Sequence, residues 1–211
     1  MRQLAYIWFN IHKVLSHIVE QDCWENNYNK EAYDLHLVRG KRMELEEVMY
    51  KRRSSREFLT KEIADEDIDT LTHYAMSGPS ACNKRPWEFY IIKNAGIRGE
   101  LRKVTKYTDY VSPLIIIVAG NTKRALALQL NDFWIQDCSA AIENILLGAT
   151  SLGIGSCWCG LKPQVRPVKK VQTILGIEKH IVPLGLIHLG YTAQEPEQRS
   201  QYDKKRIHIM E

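Results

Sequence analysis

WIQDCSAAIENILLGATSLGIGSCWCGL, residues 134–161, holds two patterns in succession. Trp134, Cys138, Ala141, Ile142, Ile145, Leu146, Ala149 and Leu152 recur at intervals of one, three or four, the apolar stripe of a helix buried along one side or more. No proline interrupts the run, so one continuous helix is predicted. At Gly153 and Gly155 the periodicity stops, as it does where a helix ends in a left-handed residue and the chain turns sharply. A strand of aromatic and thiol residues follows. The bare turn before it is a place where a ligand can approach backbone.

Working outward, residues 114–119 (LIIIVA) show no alternation, which suits a strand buried on both faces of a central sheet. Residues 88–93 and 183–191 (PLGLIHLGY) read as two further strands. Helices are expected from Met43 onward (MELEEVMYKRRSSREF), over 65–77 with Asp65 as cap, over 97–107 and over 168–175. Helices alternating with strands argue for a layered α/β or α+β sandwich.

The 211 residues suffice for one domain with a full core, and 45% hydrophobic with 26% charged composition is that of a soluble globular protein. A net charge of +4, from 29 basic against 25 acidic residues, gives little support to nucleic-acid binding. Five cysteines, an odd number with no secretory signal ahead of them, read as reduced thiols in a cytoplasmic protein. The apolar runs at 4–9 and 114–120 are far too short to span a membrane. Leu4, Ile7, Trp8, Ile11, Val14, Leu15 and Ile18 place an amphipathic helix at 1–20, and 21–41 is polar. Residues 1–42 are therefore expected to be an N-terminal helical extension and linker, with the domain proper at 43–211.

Two constellations suit an anionic, ring-bearing ligand. Arg52, Arg53, Ser54, Ser55 and Arg56 put three guanidiniums and two hydroxyls into five residues, forked donors of the kind a phosphate monoester needs. Taken alone they also read as a solvated basic turn. Lys204, Lys205 and Arg206 form a second basic group near the C-terminus. In the proline-flanked loop 79–87 (PSACNKRPW), Asn83 offers a donor and an acceptor, the pairing that reads a ring edge with carbonyl and N–H groups. Cys157 and Cys159 flank Trp158 too closely for a zinc knuckle and have no matching second pair, so they read as structural thiols and no metal is expected. There is no nucleophile elbow, Walker phosphate loop or dinucleotide glycine fingerprint.

RRSSREF, PSACNKRPWEFYII, DCSAAIENILLGATSLGIGSCWCG, PLGLIHLGY and the terminal KKRIH, in that order over about residues 43–208, resemble the FMN-dependent nitroreductase family. The resemblance implies an α+β three-layer sandwich, a central, mostly antiparallel sheet flanked by helices, in an intertwined homodimer with FMN bound non-covalently at the subunit interface. It places phosphate and ribityl contacts on Arg52, Arg53, Ser54 and Arg56, joined by Lys204 and Arg206. Asn83 and, across the interface, Ser80 meet the polar edge of the flavin. The 157–160 segment (Cys157, Trp158, Cys159, Gly160) lies against the ring, with the N–H of Cys159 or Gly160 directed at N5. Arg85 stands where the family commonly has Gln, and a charge there would favour reduced, anionic flavin and acidic substrates. The implied activity is NAD(P)H-dependent reduction of nitroaromatic, quinone or similar small-molecule acceptors by alternating hydride transfer through flavin N5, with no catalytic side chain. NADH or NADPH serves as reductant, and neither nucleic acid nor membrane is a partner. A specialised dehydrogenase or dehalogenase of the same fold, or a non-catalytic flavin-binding module, are the alternatives. The helical half of 134–161, through Trp134, Ala141 and Ile145, is expected to form much of the two-fold interface.

Overall fold

The computed structural model describes residues 43–126, 132–193 and 197–211. The helix and linker expected at 1–42 lie outside the described residues. In order the elements are α1 (Leu45–Lys51), α2 (Asp65–Met76), β1 (Trp87–Ile92), α3 (Ala95–Arg102), β2 (Leu114–Asn121), α4 (Phe133–Ser151), β3 (Gly155–Gly160), α5 (Val165–Leu175) and β4 (Ile181–Gly190), with single 3-10 turns at Ala81–Asn83 and Lys204–Arg206.

The four strands form one antiparallel sheet in the order β1-β2-β4-β3. β2 is buried from Leu114 to Gly120, because both of its faces are covered. On one face Leu114, Ile116, Val118, Ile187 and Leu189 pack with Leu71 and Ala75 of α2 and the apolar stripe of α4. On the other, Ile115, Ile117, Leu186, Cys157 and Cys159 pack with Leu101 of α3 and Val168 and Val171 of α5. The result is the expected three-layer α+β sandwich with helices on both faces.

α4 is continuous over 19 residues and stops as its glycines predict. Gly153 takes φ of 69°. Its N–H bonds Thr150 O at 3.0 Å and the N–H of Ile154 bonds Ala149 O at 2.8 Å, the paired bonds of a glycine-terminated helix. Near its start Trp134 lies flat on β2, where a Cβ on Gly120 would come within 2.2 Å of its ring.

Several boundaries differ from expectation for local reasons. α1 ends at Lys51, before the basic cluster, which continues non-helically. Asp65 is the first residue of α2 and not its cap, which is Ala64. α3 starts at the Asn94 cap, whose side chain accepts from Ile97 N at 3.0 Å, and ends at Arg102. Beyond it Thr108 Oγ1 lies 3.0 Å from Arg102 O and accepts from Thr105 N at 3.0 Å, so side chains take over the backbone's bonds. α5 begins earlier than predicted, taking Pro167 into its first turn, where a missing N–H is tolerated.

The interface expectation is corrected. Trp134, Ala141 and Ile145 are 4%, 0% and 0% exposed, buried within the subunit's own core. The accessible side of α4 carries Gln136, Ser139, Ala140, Glu143 and Leu147 instead.

Candidate functional site

The basic segment meets β3 through Ser54 and Ser55. Arg52 donates its N–H to Val48 O (2.9 Å) at the end of α1 and its guanidinium pairs with Glu143 of α4 at 3.6 Å. Arg53 turns back on the chain, with Nη1 donating to Arg52 O (2.7 Å) and Nη2 to Glu197 O (2.6 Å). Ser54 forms a parallel bridge with Ser156, and Ser55 N donates to Ser156 O at 2.8 Å. Arg56 is exposed, and a hydrogen bond with the Tyr110 hydroxyl raises its pKa.

That bridge sets the phase of the edge strand. Since the carbonyl of Ser156 points outward to Ser55, alternation turns the N–H and C=O groups of Trp158 and Gly160 outward too. Those of Cys157 and Cys159 face β4, opposite His188 and Leu186. Of the two N–H groups the resemblance left open, only that of Gly160 lies on the free edge. A Cβ on Gly160 would meet nothing within 4 Å except Lys162 O at 3.9 Å, so the space before it is open. Trp158, 37% exposed, lies over Gly185 and Ile142 on the α4 side of the sheet.

The two thiols turn the other way, into the layer under α3 and α5. They share a hydrogen bond, which with the Arg56 charge lowers the Cys157 pKa against the opposing effect of burial, while Cys159 is pushed up. Cys159 Sγ donates to Tyr107 O at 2.9 Å. Next to them His188 is fully buried. Its Nε2–H donates to Thr108 O at 3.1 Å, so in the neutral ring Nδ1 accepts from the Ser112 hydroxyl at 2.8 Å. Burial holds its pKa down to about 4. Among the described residues no group of three or more His, Cys, Asp and Glu could hold a metal, and no helix is long and apolar enough to cross a membrane.

The loop bearing Ser80, Asn83 and Arg85 is wound tightly. Cys82, Asn83 and Arg85 all have positive φ, at 47°, 53° and 48°. Ser80 Oγ accepts from Arg85 N at 3.0 Å, and Arg85 Nε donates to Asn83 Oδ1 at 2.8 Å. Arg85 thus turns toward Asn83, and occupying Oδ1 leaves the Asn83 amide group to act as a donor.

Lys204 and Arg206 lie in an exposed 3-10 turn, where Arg206 pairs with Asp203 at 3.3 Å. The tail meets the first basic segment nearer its start, through the Arg53–Glu197 bond and Arg199 N donating to Tyr50 O at 3.3 Å. Between them lies a cleft of about 630 Å³ lined by Met49, Tyr50, Arg52, Arg53 and Arg199. Sequence reasoning passed over Tyr110, His188, Arg199 and Asp137. Of these only Asp137 carried a visible signal, as an acid inside an apolar helical stripe.

The Nitroreductase family model matches residues 49–112 and 99–191. A "Putative NADH dehydrogenase/NAD(P)H nitroreductase" from Methanothermobacter thermautotrophicus is 36% identical over 170 residues, covering 80% of this chain and 87% of that protein. The crystal structure of a "Putative NADH Oxidase" from Clostridium acetobutylicum superimposes with a TM-score of 0.73 at 32% identity, covering 78% of this chain and 99% of that one. An "FMN-dependent Nitroreductase" from Clostridium difficile gives a TM-score of 0.70 at 25% identity over 77% of this chain and 96% of its own. Matched by the family model over most of the described residues and 36% identical to a relative over 80% of its length, the chain belongs to the nitroreductase family.

Proposed function

We propose that the protein is a cytoplasmic, homodimeric FMN-dependent oxidoreductase that uses NAD(P)H to reduce small-molecule acceptors such as nitroaromatics and quinones. The observation that carries this reading is the Ser54–Ser156 bridge, which joins the backbone of the arginine-rich segment to the edge strand β3. The fit with FMN is chemical: forked cations suit a phosphate, outward backbone suits a ring edge, and the open space at Gly160 suits a flat ring. The names of the relatives, with FMN in one and NAD(P)H in another, support the same cofactor and reductant.

Under this reading Arg52, Arg53, Ser54 and Arg56 hold the phosphate and ribityl chain, with Lys204 and Arg206 reaching in from the tail. The Gly160 N–H would face N5, the backbone of 157–160 would lie against the ring, and Asn83 would meet its polar edge together with Ser80 contributed across the interface. Arg85, turned onto Asn83, adds positive charge there and favours acidic acceptors. When bound, the flavin supplies the two-electron chemistry, taking hydride from NAD(P)H and delivering it to an acceptor in alternation, so no side-chain acid or base is required. Exposed Leu45 (73%) and Met49 (57%) on α1, with Ile207 and Ile209 on the tail, give a second copy apolar surface to cover. An absorbance spectrum of the purified protein, followed by anaerobic titration with NADH and NADPH and turnover with menadione, tests the proposal. A colourless protein after FMN addition, or a flavin that neither nucleotide bleaches, refutes it.

A further inference from the structure

Asp137 is the only carboxylate among the buried described residues, 5% exposed within the apolar stripe of α4. Its Oδ1 accepts the N–H of Ala81, 56 residues earlier, at 2.9 Å, while its Oδ2 is buried with no partner. Burial raises its pKa and the Ala81 bond opposes that rise. An acid here is unfavourable for packing, since a buried polar group is penalised unless its bonds are made. What it supplies that an apolar residue would not is one acceptor, placed at Ala81.

Ala81 belongs to the loop in which three non-glycine residues adopt left-handed backbone conformations within four positions. Such a conformation persists only where its surroundings hold it. The bonds inside the loop, Asn83 N to Ser80 O (2.9 Å), Lys84 N to Ala81 O (3.1 Å) and Arg85 N to Ser80 Oγ (3.0 Å), hold its shape. They do not hold its place. The ends are anchored, by Asn144 Nδ2 to Tyr74 O (3.0 Å) before the loop and Asn121 N to Pro86 O (2.7 Å) after it. Between those anchors the Asp137–Ala81 bond ties the strained turn itself to the rigid helix, one residue from Ser80 and two from Asn83.

We propose that Asp137 is a positioning residue: by accepting the Ala81 N–H it fixes the strained 80–85 loop on α4, so that Ser80 and Asn83 are already set to meet the polar edge of a flavin. The flavin half of this statement rests on the proposed function; the loop half does not.

The test uses the full chain with Asp137→Leu, which keeps bulk in the core and removes the acceptor, Asp137→Ala, and Asp137→Asn, which keeps the acceptor without charge. Amide hydrogen exchange of 81–86 and FMN affinity by fluorescence titration are measured alongside thermal stability. Asp137→Leu is expected to speed exchange at 81–83 about tenfold and weaken FMN by about the same factor, the scale of one net hydrogen bond. Exchange in α4 and the melting temperature stay at wild-type values, and Asp137→Asn restores both readouts to within about threefold. Unchanged exchange at 81–83 in both Asp137→Leu and Asp137→Ala overturns the proposal. So does an Asp137→Asn protein as impaired as the other two. Wild-type protein that takes up no FMN refutes the flavin reading, and the exchange measurement then still decides whether Asp137 holds the loop.

Discussion

Lowering the pH should destabilise the protein through His188, by an amount that follows from its surroundings. The ring is enclosed by Phe58, stacked at 6.4 Å, and Tyr110, edge-on at 5.5 Å, and both nitrogens are engaged in the neutral form. Burial is the main cause of the lowered pKa. Arg102 adds to it, while Thr108 O and Asp109 oppose it. The unfolded chain takes up this proton as pH falls through 6.5, whereas the folded ring resists until about 4. The contribution of the neutral ring is therefore complete above pH 6.5. It is then lost at up to about 1.4 kcal/mol per pH unit, reaching about 3 kcal/mol near pH 4. Urea unfolding of wild type and His188→Gln across this range measures it, because carboxylate titration acts on both proteins and cancels in their difference. The wild-type advantage should shrink with acid by that amount. A gap constant to within about 0.5 kcal/mol, the usual error of additivity, would refute the reasoning.

Gly120→Ala should lower stability by about 1–3 kcal/mol in thermal or urea unfolding, because its Cβ would stand 2.2 Å from the buried ring of Trp134 and neither the strand nor the indole has room to withdraw. Gly160→Val meets open space, so its melting temperature should match wild type to within about 2 °C while the flavin retained per subunit falls at least about tenfold. In a pH titration of thiolate ultraviolet absorbance, the signal removed by Cys157→Ser should have its midpoint below the ordinary thiol value of 9.0, and Cys159→Ala should move that midpoint upward by removing the shared hydrogen bond.

The elements legible in the sequence were those whose signals are local. The unalternating run of β2 and the glycine stop of α4 depend on periodicity and backbone freedom within one segment, and both are where the pattern put them. Boundaries slipped where side chains compete with the backbone, as Thr108 does beyond α3. The face of α4 was misassigned because an apolar stripe states that a side is buried and not by what. Trp134, Ala141 and Ile145 are consumed by the subunit's own core.

For the candidate site, residue chemistry alone singled out the guanidinium cluster and the asparagine loop, since donors and turn formers are properties of residue type. Their placement was decided only in three dimensions. Whether Cys159 or Gly160 offers an outward N–H is a question of phase in a period-two strand, and the phase is set by the bridge from Ser54 to Ser156, about a hundred residues away in sequence. The grip of Asp137 on Ala81 likewise joins positions that no local pattern relates. The sequence thus determined the helices, the strands and the chemistry available to the site, because these follow from short-range sterics and residue type. The tertiary structure decided which backbone groups stay free and which strained loop is held, because those depend on what each face meets across the fold.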